Sequence, residues 1–407
     1  MIPFRAALLS SAYSAGGGGG GTPLATPKWS NFVYLAGFNG TDGVAVFTDE
    51  GMFSRSPLRT HGTGISELDT AWSKFGGSSL LLAVNDYLTG TADLLLDLGS
   101  EQFTLGCWVR FSSVGSSVAL LGKCSASTGW LLDLASGTLR FRLFDTTAVV
   151  STSFSWSPST GTDYFLMVDR DASLVTRLYI DGTMVSKDTA TAAAAAATQN
   201  FSVGRLPYSG TGTLDGWMDE AFIIKGEALC GSDAGFAVPT AAFTRGSRYE
   251  STTSTSISTS SYATKGTLVD VVNTKTLKGV GTYLAPTGSE TYKIVVAEVN
   301  PSGNTISAIL GTSDEKSVSA SAYGLYNFNF SSDMTLTSGK RIAFLVVRTD
   351  GTSTSTCRVP FPGSGSASNS DFTYYGCARY ASNNPTVGDA ILYDNSSVVR
   401  IIAGYTA

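Results

Sequence analysis

Between residues 103 and 225 apolar and polar positions alternate with a period of two, the pattern of strands that have one face in a core. In "FTLGCWVRF" Phe103, Leu105, Cys107, Val109 and Phe111 fall on one face, and Thr104, Gly106, Trp108 and Arg110 on the other. "TLRFRLF" repeats this with Leu139, Phe141 and Leu143 inward and Arg140 and Arg142 outward. "DYFLMVDR", "SLVTRLYIDGTMVS", "NFSVGRL" and "GWMDEAFII" follow at short intervals, and Asp181-Gly182 between two such runs predicts a tight hairpin turn. Closely spaced strands with no amphipathic helix between them predict an antiparallel β-sandwich. The alanine run Ala192 to Ala197 has helix propensity but no apolar stripe and is too short to hold a helix alone, so a loop is expected.

From residue 262 the alternation resumes with different sequence, in "GTLVDVV", "TLKGVGTYL", "TYKIVVAEVN", "TISAIL", "YNFNFS", "KRIAFLVVRTDG", "AILYD" and "VVRIIAGYT". "VNPSGNT" sets Pro, Ser, Gly and Asn between two of these runs, where each favours a turn. Two stretches break the pattern. "AGGGGGGTPLATP" (15–27) cannot hold a regular element, because consecutive glycines cost chain entropy and offer nothing to bury. "STTSTSISTSS" (251–261), ten of eleven residues Ser or Thr, marks a domain boundary. The expected fold class is all-β: an extended Gly-rich strap over 1–27, a sandwich over 28–245, a Ser/Thr-rich linker over 246–261 and a second, jelly-roll type sandwich over 262–407. A chain of 407 residues suits two such cores.

Charged residues are 14% of the chain, against roughly 25% in an average soluble domain. A net charge of -5, a pI near 5.0 and the absence of Lys/Arg clusters argue against nucleic acid as a partner. His61, in "RTHGTG", is the one histidine, which leaves no material for a His-based triad or a multi-His zinc site; it reads as a surface-loop residue. Five cysteines without CxxC spacing are expected as free thiols, with Cys357 and Cys377 the one pair near enough in sequence to suggest a bridge. No apolar run approaches the ~20 residues of a membrane helix, so no membrane insertion is expected. The N-terminal patch "AALL" is shorter than a secretory h-region, so the usual export route is not expected.

Residues 28 to 243 resemble the laminin-G or concanavalin A-like domains of tailed-phage virion proteins. The likeness lies in "VYLAGFNGTDGVAVFTDE", "SKFGGSSLLLAVNDYL", "EQFTLGCWVRF", "LYIDGTMV", "FSVGR" and "LDGWMDEAFIIKGEAL", in order and spacing. Residues 262 to 404 are similar to an accessory β-sandwich met at the ends of phage tail fibres, through "YATKGT", "YKIVVAEVNPSGNTISAILGTS" and "YNFNFSSDMTLTSGKRIAFLVVRTDGT". The resemblance implies a virion structural protein on the particle exterior, a tail fibre or appendage that presents lectin-like domains to host-surface glycan. It also implies anchoring to other virion proteins through the strap, and a homo-oligomer such as a trimer. The alternatives are an architectural capsid or tail decoration protein without a ligand and, behind both, a glycan-active enzyme.

Within "LDGWMDEAFIIKGEAL" Asp219 and Glu220 are adjacent. On a regular strand neighbours point to opposite faces, Asp219 with Trp217 and Ala221, and Glu220 with Met218 and Phe222. Glycoside hydrolysis needs two carboxyls about 5–9.5 Å apart facing one bond, so this pair is not expected to be catalytic and no enzyme is expected. The resemblance offers a second role, because relatives of this fold sometimes bind Ca2+ with an acid of this late strand and oxygens of the N-terminal loop. The matching positions are Asp219 with Asn39, Gly40 and Asp42 of "GFNGTDG". Against that stands a purely structural role, in which Asp219 accepts from backbone amides and holds the terminal strand. For glycan contact the sequence offers Tyr374, Tyr375 and Tyr380 beside Arg379 in "DFTYYGCARYASNN", since exposed aromatic faces stack on sugar C–H groups. Tyr374 and Tyr375 are adjacent, so one of the two is expected to pack inward.

Overall fold

Among the described residues the strands form four antiparallel sheets, two to a sandwich. The computed structural model describes residues 22–51, 58–62, 64, 66–90, 92–146, 148–189, 193–209, 211–245, 247–250, 264–284, 289–318, 324–349, 372–380, 385–394 and 401–405. Among these no α-helix occurs.

In the first sandwich one sheet runs Thr183–Asp188, Thr176–Ile180, Asp163–Arg170, Phe103–Ser113, Asp215–Lys225, Ser79–Leu82, Ser66–Asp69, with Phe32–Ala36 also paired to Asp215–Lys225. The facing sheet runs Ala148–Ser155, Thr138–Asp145, Thr128–Ala135, Ser117–Cys124, Ser202–Val203, Tyr87–Thr89, Arg59–His61. The residues that the alternation sets inward, Phe103 to Phe111 on one strand and Leu139, Phe141 and Leu143 on the other, are fully buried. Arg140 and Arg142 share the carboxylate of Asp133 on the opposite face. Asp181 and Gly182 both have positive φ, 48° and 77°, as the two-residue hairpin turn requires.

The alanine run, from residue 193 on, is a loop. Ala194 N donates to Gly99 O at 3.1 Å and Ala195 N to Phe144 O at 2.9 Å, while Ala194 and Ala197 are buried. Methyl side chains let this backbone lie flat on the sandwich. The free thiols Cys107 and Cys124 are buried, and burial pushes both up to about 12, so they behave as small apolar groups.

The second sandwich pairs Ser247–Glu250, Ile401–Tyr405, Lys275–Leu284 and Gly324–Phe328, with Met334–Leu336 beside Lys275–Leu284. Its other sheet runs Thr305–Thr312, Glu290–Asn300, Arg341–Arg348, Thr264–Val271, Phe372–Tyr380, Leu392–Asp394, with Lys316–Val318 beside Glu290–Asn300. Val269, Leu277, Val280, Ile294, Phe328, Ile342 and Phe344 form the core between them.

Two expected boundaries shift. Ser247–Glu250, placed in the linker by its position near the Ser/Thr run, pairs antiparallel with Ile401–Tyr405 and so belongs to the second sandwich. The Ser/Thr run itself, 251–261, lies outside the described residues. At the other end, residues 22–27 of the expected strap pack on the first sandwich. Leu24 is buried, Pro23 bridges Ala237, and Ala237 N donates to Thr22 O at 3.0 Å. Residues 1–21 lie outside the described part. The two sandwiches meet where Glu101 bridges Lys225, at 3.3 Å, and Lys316, at 3.6 Å. Beside this bridge a cavity of about 480 Å³ separates them.

Candidate functional site

The strand that carries both acids is not regular. Asp219 pairs with Trp108 and Phe222 with Gly106, so three steps on one strand oppose two on its neighbour, and Glu220 has φ 46°. This β-bulge corrects the expected alternation beyond Asp219: Phe222 lies on the same face as Asp219, not on that of Met218.

The bulge sends the two carboxylates to different segments. Asp219 is fully buried; its Oδ2 accepts from Lys74 N at 2.7 Å and Phe75 N at 3.0 Å, and its Oδ1 from Glu220 N at 2.7 Å. Burial pushes its carboxyl up to about 7, against the pull of the Phe75 and Lys74 amides. Glu220 pairs with the Arg245 guanidinium and accepts from Phe243 N at 3.0 Å, and Arg245 also pairs with Glu50. One acid therefore holds the turn at 74–75 and the other holds the exit of the chain at 243–245. Both are closed to solvent and engaged, so neither faces a substrate.

The other three positions of the calcium expectation meet the same turn. Asp42 Oδ1 accepts from Thr70 N at 2.9 Å and Thr70 Oγ1 at 3.1 Å. Gly40 N donates to Ser78 Oγ at 2.8 Å. The Asn39 amide presses on Gly76, where a Cβ would meet its Oδ1 at 1.5 Å. The segment 70–78 is thus the common partner of Asn39, Gly40, Asp42 and Asp219. Among the described residues no group of three or more His, Cys, Asp or Glu is placed to hold a metal ion.

In the second sandwich Tyr374, Arg379 and Tyr380 pair through their backbones with Val269, Lys265 and Thr264, and Tyr375 is the extra residue of a bulge. Their side chains lie outside the described residues.

The outer face of the first sheet carries an aromatic and charged cluster that the sequence reading passed over. Trp217 and Arg110 are direct cross-strand partners, and both are half-buried. Trp217 Nε1 donates to Asp69 Oδ2 at 2.8 Å, and Trp72 Nε1 donates to Asp163 Oδ1 at 2.9 Å. Asp163 also lies 3.6 Å from Arg110 Nη1 and 3.7 Å from Lys74 Nζ, which stands 3.9 Å from the Trp108 ring centroid. Trp72 and Trp108 are buried beneath, so Trp217 presents the accessible indole, fixed in place by Asp69. The available signal was Trp at the outward positions 108 and 217 of alternating strands; the acids that fix the indoles come from distant segments. His61 is exposed on an edge strand, where its ring stacks on Tyr87 at 4.8 Å.

Residues 82–229 match the Laminin_G_3 family, the concanavalin A-like lectin/glucanases superfamily. This part of the chain has that superfamily's jelly-roll fold. Among solved structures, the chain is similar to domain 4 of AbnA, a GH43 extracellular arabinanase from Geobacillus stearothermophilus, in complex with arabinotriose. That match has 16% identity and a TM-score of 0.39, over 50% of this chain and 96% of the other. It is also similar to the binding domain of botulinum neurotoxin DC in complex with SialylT, at 11% identity and a TM-score of 0.38, over 82% and 100%. A third is the Ruminococcus gnavus IT-sialidase CBM40 bound to α2,3 sialyllactose, at 14% identity and a TM-score of 0.30, over 33% and 80%. A comparison with curated protein sequences gives no match.

Proposed function

We propose that the chain is an exterior component of a tailed-phage virion, a tail fibre or surface appendage whose first sandwich binds host-surface glycan without turning it over. The observation that carries glycan contact is the half-buried Trp217, its N–H fixed on Asp69 and its ring beside Arg110 on the outer face of the sheet. An indole held in one orientation stacks on sugar C–H groups at little entropic cost, while neighbouring guanidinium and carboxylate groups meet the hydroxyls. The match of residues 82–229 to a superfamily that includes lectins supports the same reading. The phage setting rests on the order of the sequence phrases it shares with virion proteins and on the glycine-rich strap. Binding without turnover is supported by the engagement of Asp219 and Glu220 in the fold.

A glycan array probed with the multivalent full chain and with Trp217→Ala tests the binding. Loss of about tenfold or more of the signal in the variant is the expected result. If no glycan is bound at any valency, the adhesin reading falls and architectural decoration takes its place. Release of reducing ends from a bound polysaccharide, abolished by Asp163→Asn, would establish an enzyme instead.

A further inference from the structure

The sheet opposite the tryptophan face has a cavity of about 230 Å³ beside the strands Tyr87–Thr89 and Ser202–Val203. Its wall includes Tyr87, Thr89, Gln199, Asn200, Ser202 and Arg205. The Arg205 guanidinium stands 4.0 Å from the Tyr87 ring centroid, and His61 steadies the same ring by stacking on it with an interplanar angle of 8°. Arg110, Arg140, Arg142, Arg177 and Arg245 of this sandwich each pair with a carboxylate. Among the described residues Arg205 pairs with none, and its Nε is buried without an acceptor. In the same wall Gln199 Oε1 is buried without a donor.

We propose that this cavity takes the carboxylate of an acidic sugar, a hexuronate residue of a glycan, with Arg205 as its partner. A guanidinium partly removed from water with no counter-charge gains more from an anion than a solvated one does, and its planar fork matches a carboxylate. Asn200 supplies a donor and an acceptor for ring hydroxyls, and the Thr89 hydroxyl, whose Oγ1 lies 2.7 Å from His61 Nε2, keeps a further hydrogen-bonding position for one. The volume is below the ~300–1,000 Å³ of sites for drug-sized ligands, which fits a single sugar residue. The choice of a sugar rests on the glycan reading above, whereas the choice of a carboxylate rests on Arg205 alone.

Calorimetry and saturation-transfer NMR on the full chain with glucuronate, glucose and acetate test this, since the two sugars differ only at C6. Glucuronate is expected to bind about tenfold or more tightly than glucose, with the difference shrinking as salt is raised. Arg205→Gln is expected to abolish the difference and Arg205→Lys to retain part of it. Melting curves confirm that each variant is folded. Equal binding of the two sugars, or a glucuronate preference that survives Arg205→Gln, overturns the proposal. Acetate binding as tightly as glucuronate overturns its sugar part and leaves a simple anion site. Array glycans bound through Trp217 with no Arg205-dependent preference leave the adhesin reading standing and sink only this one.

Discussion

At the scale of single residues, Asp219 combines two opposing effects. Burial disfavours its charge, while three backbone amides aimed at its oxygens favour it. Burial wins, and the folded carboxyl sits near 7 against about 3.9 in the unfolded chain. Between these values the folded state holds more protons than the unfolded one. The contribution of Asp219 is therefore fully present below about pH 4 and is lost as pH rises through 7. An asparagine is pH-independent, but it turns an amide N–H₂ toward one set of backbone donors, at a cost of about 1–3 kcal/mol. Urea unfolding of wild type and Asp219→Asn should thus show a wild-type advantage that is larger at pH 4.5 than at pH 7.5. An advantage that grows with pH would mean that the amides outweigh burial.

At the scale of elements, the inward faces were legible because apolar residues recur at every second position, as Leu105, Cys107 and Val109 do, although Thr104, Gly106 and Trp108 between them are buried as well. The bulge was not legible. It adds one residue, and the positive φ falls on Glu220, where no glycine or asparagine flags it. Nor were the indole anchors, since Trp72 and Asp163 are 91 residues apart and Trp217 and Asp69 are 148 apart. The alanine loop was legible as a loop but not as a partner. Lys123, fully buried, pairs with Asp97 and donates to Ala197 O at 2.6 Å, which joins the strand Ser117–Cys124, the turn ending at Asp97 and this loop. Lys123→Ala leaves the Asp97 carboxylate buried and unpaired, and should lower unfolding stability by about 3–5 kcal/mol. The apolar replacement Lys123→Met with Asp97→Leu should recover most of that in the same urea titration. Failure of the double variant to recover would place the loss in packing.

At the scale of the whole molecule, the described end of the N-terminal segment is tied to the first sandwich. Thr22 and Ala25 bond to Ala237 and Leu229, and Leu24 is 4% exposed, so this end is part of the first sandwich. The six glycines that precede it have no side chain to bury. Deleting residues 1–21 should therefore leave the melting temperature unchanged. Deleting 1–27 removes a buried leucine worth about 1.5–3 kcal/mol, a fall of roughly 3–12 °C for a domain of some 150–250 residues. Equal melting of the two truncations would mean that residues 22–27 do not hold the sandwich. If the segment anchors the chain on a particle, the shorter truncation is also the informative one, because it is folded and should still fail to assemble. Normal incorporation of that folded truncation would remove the anchoring role from residues 1–21.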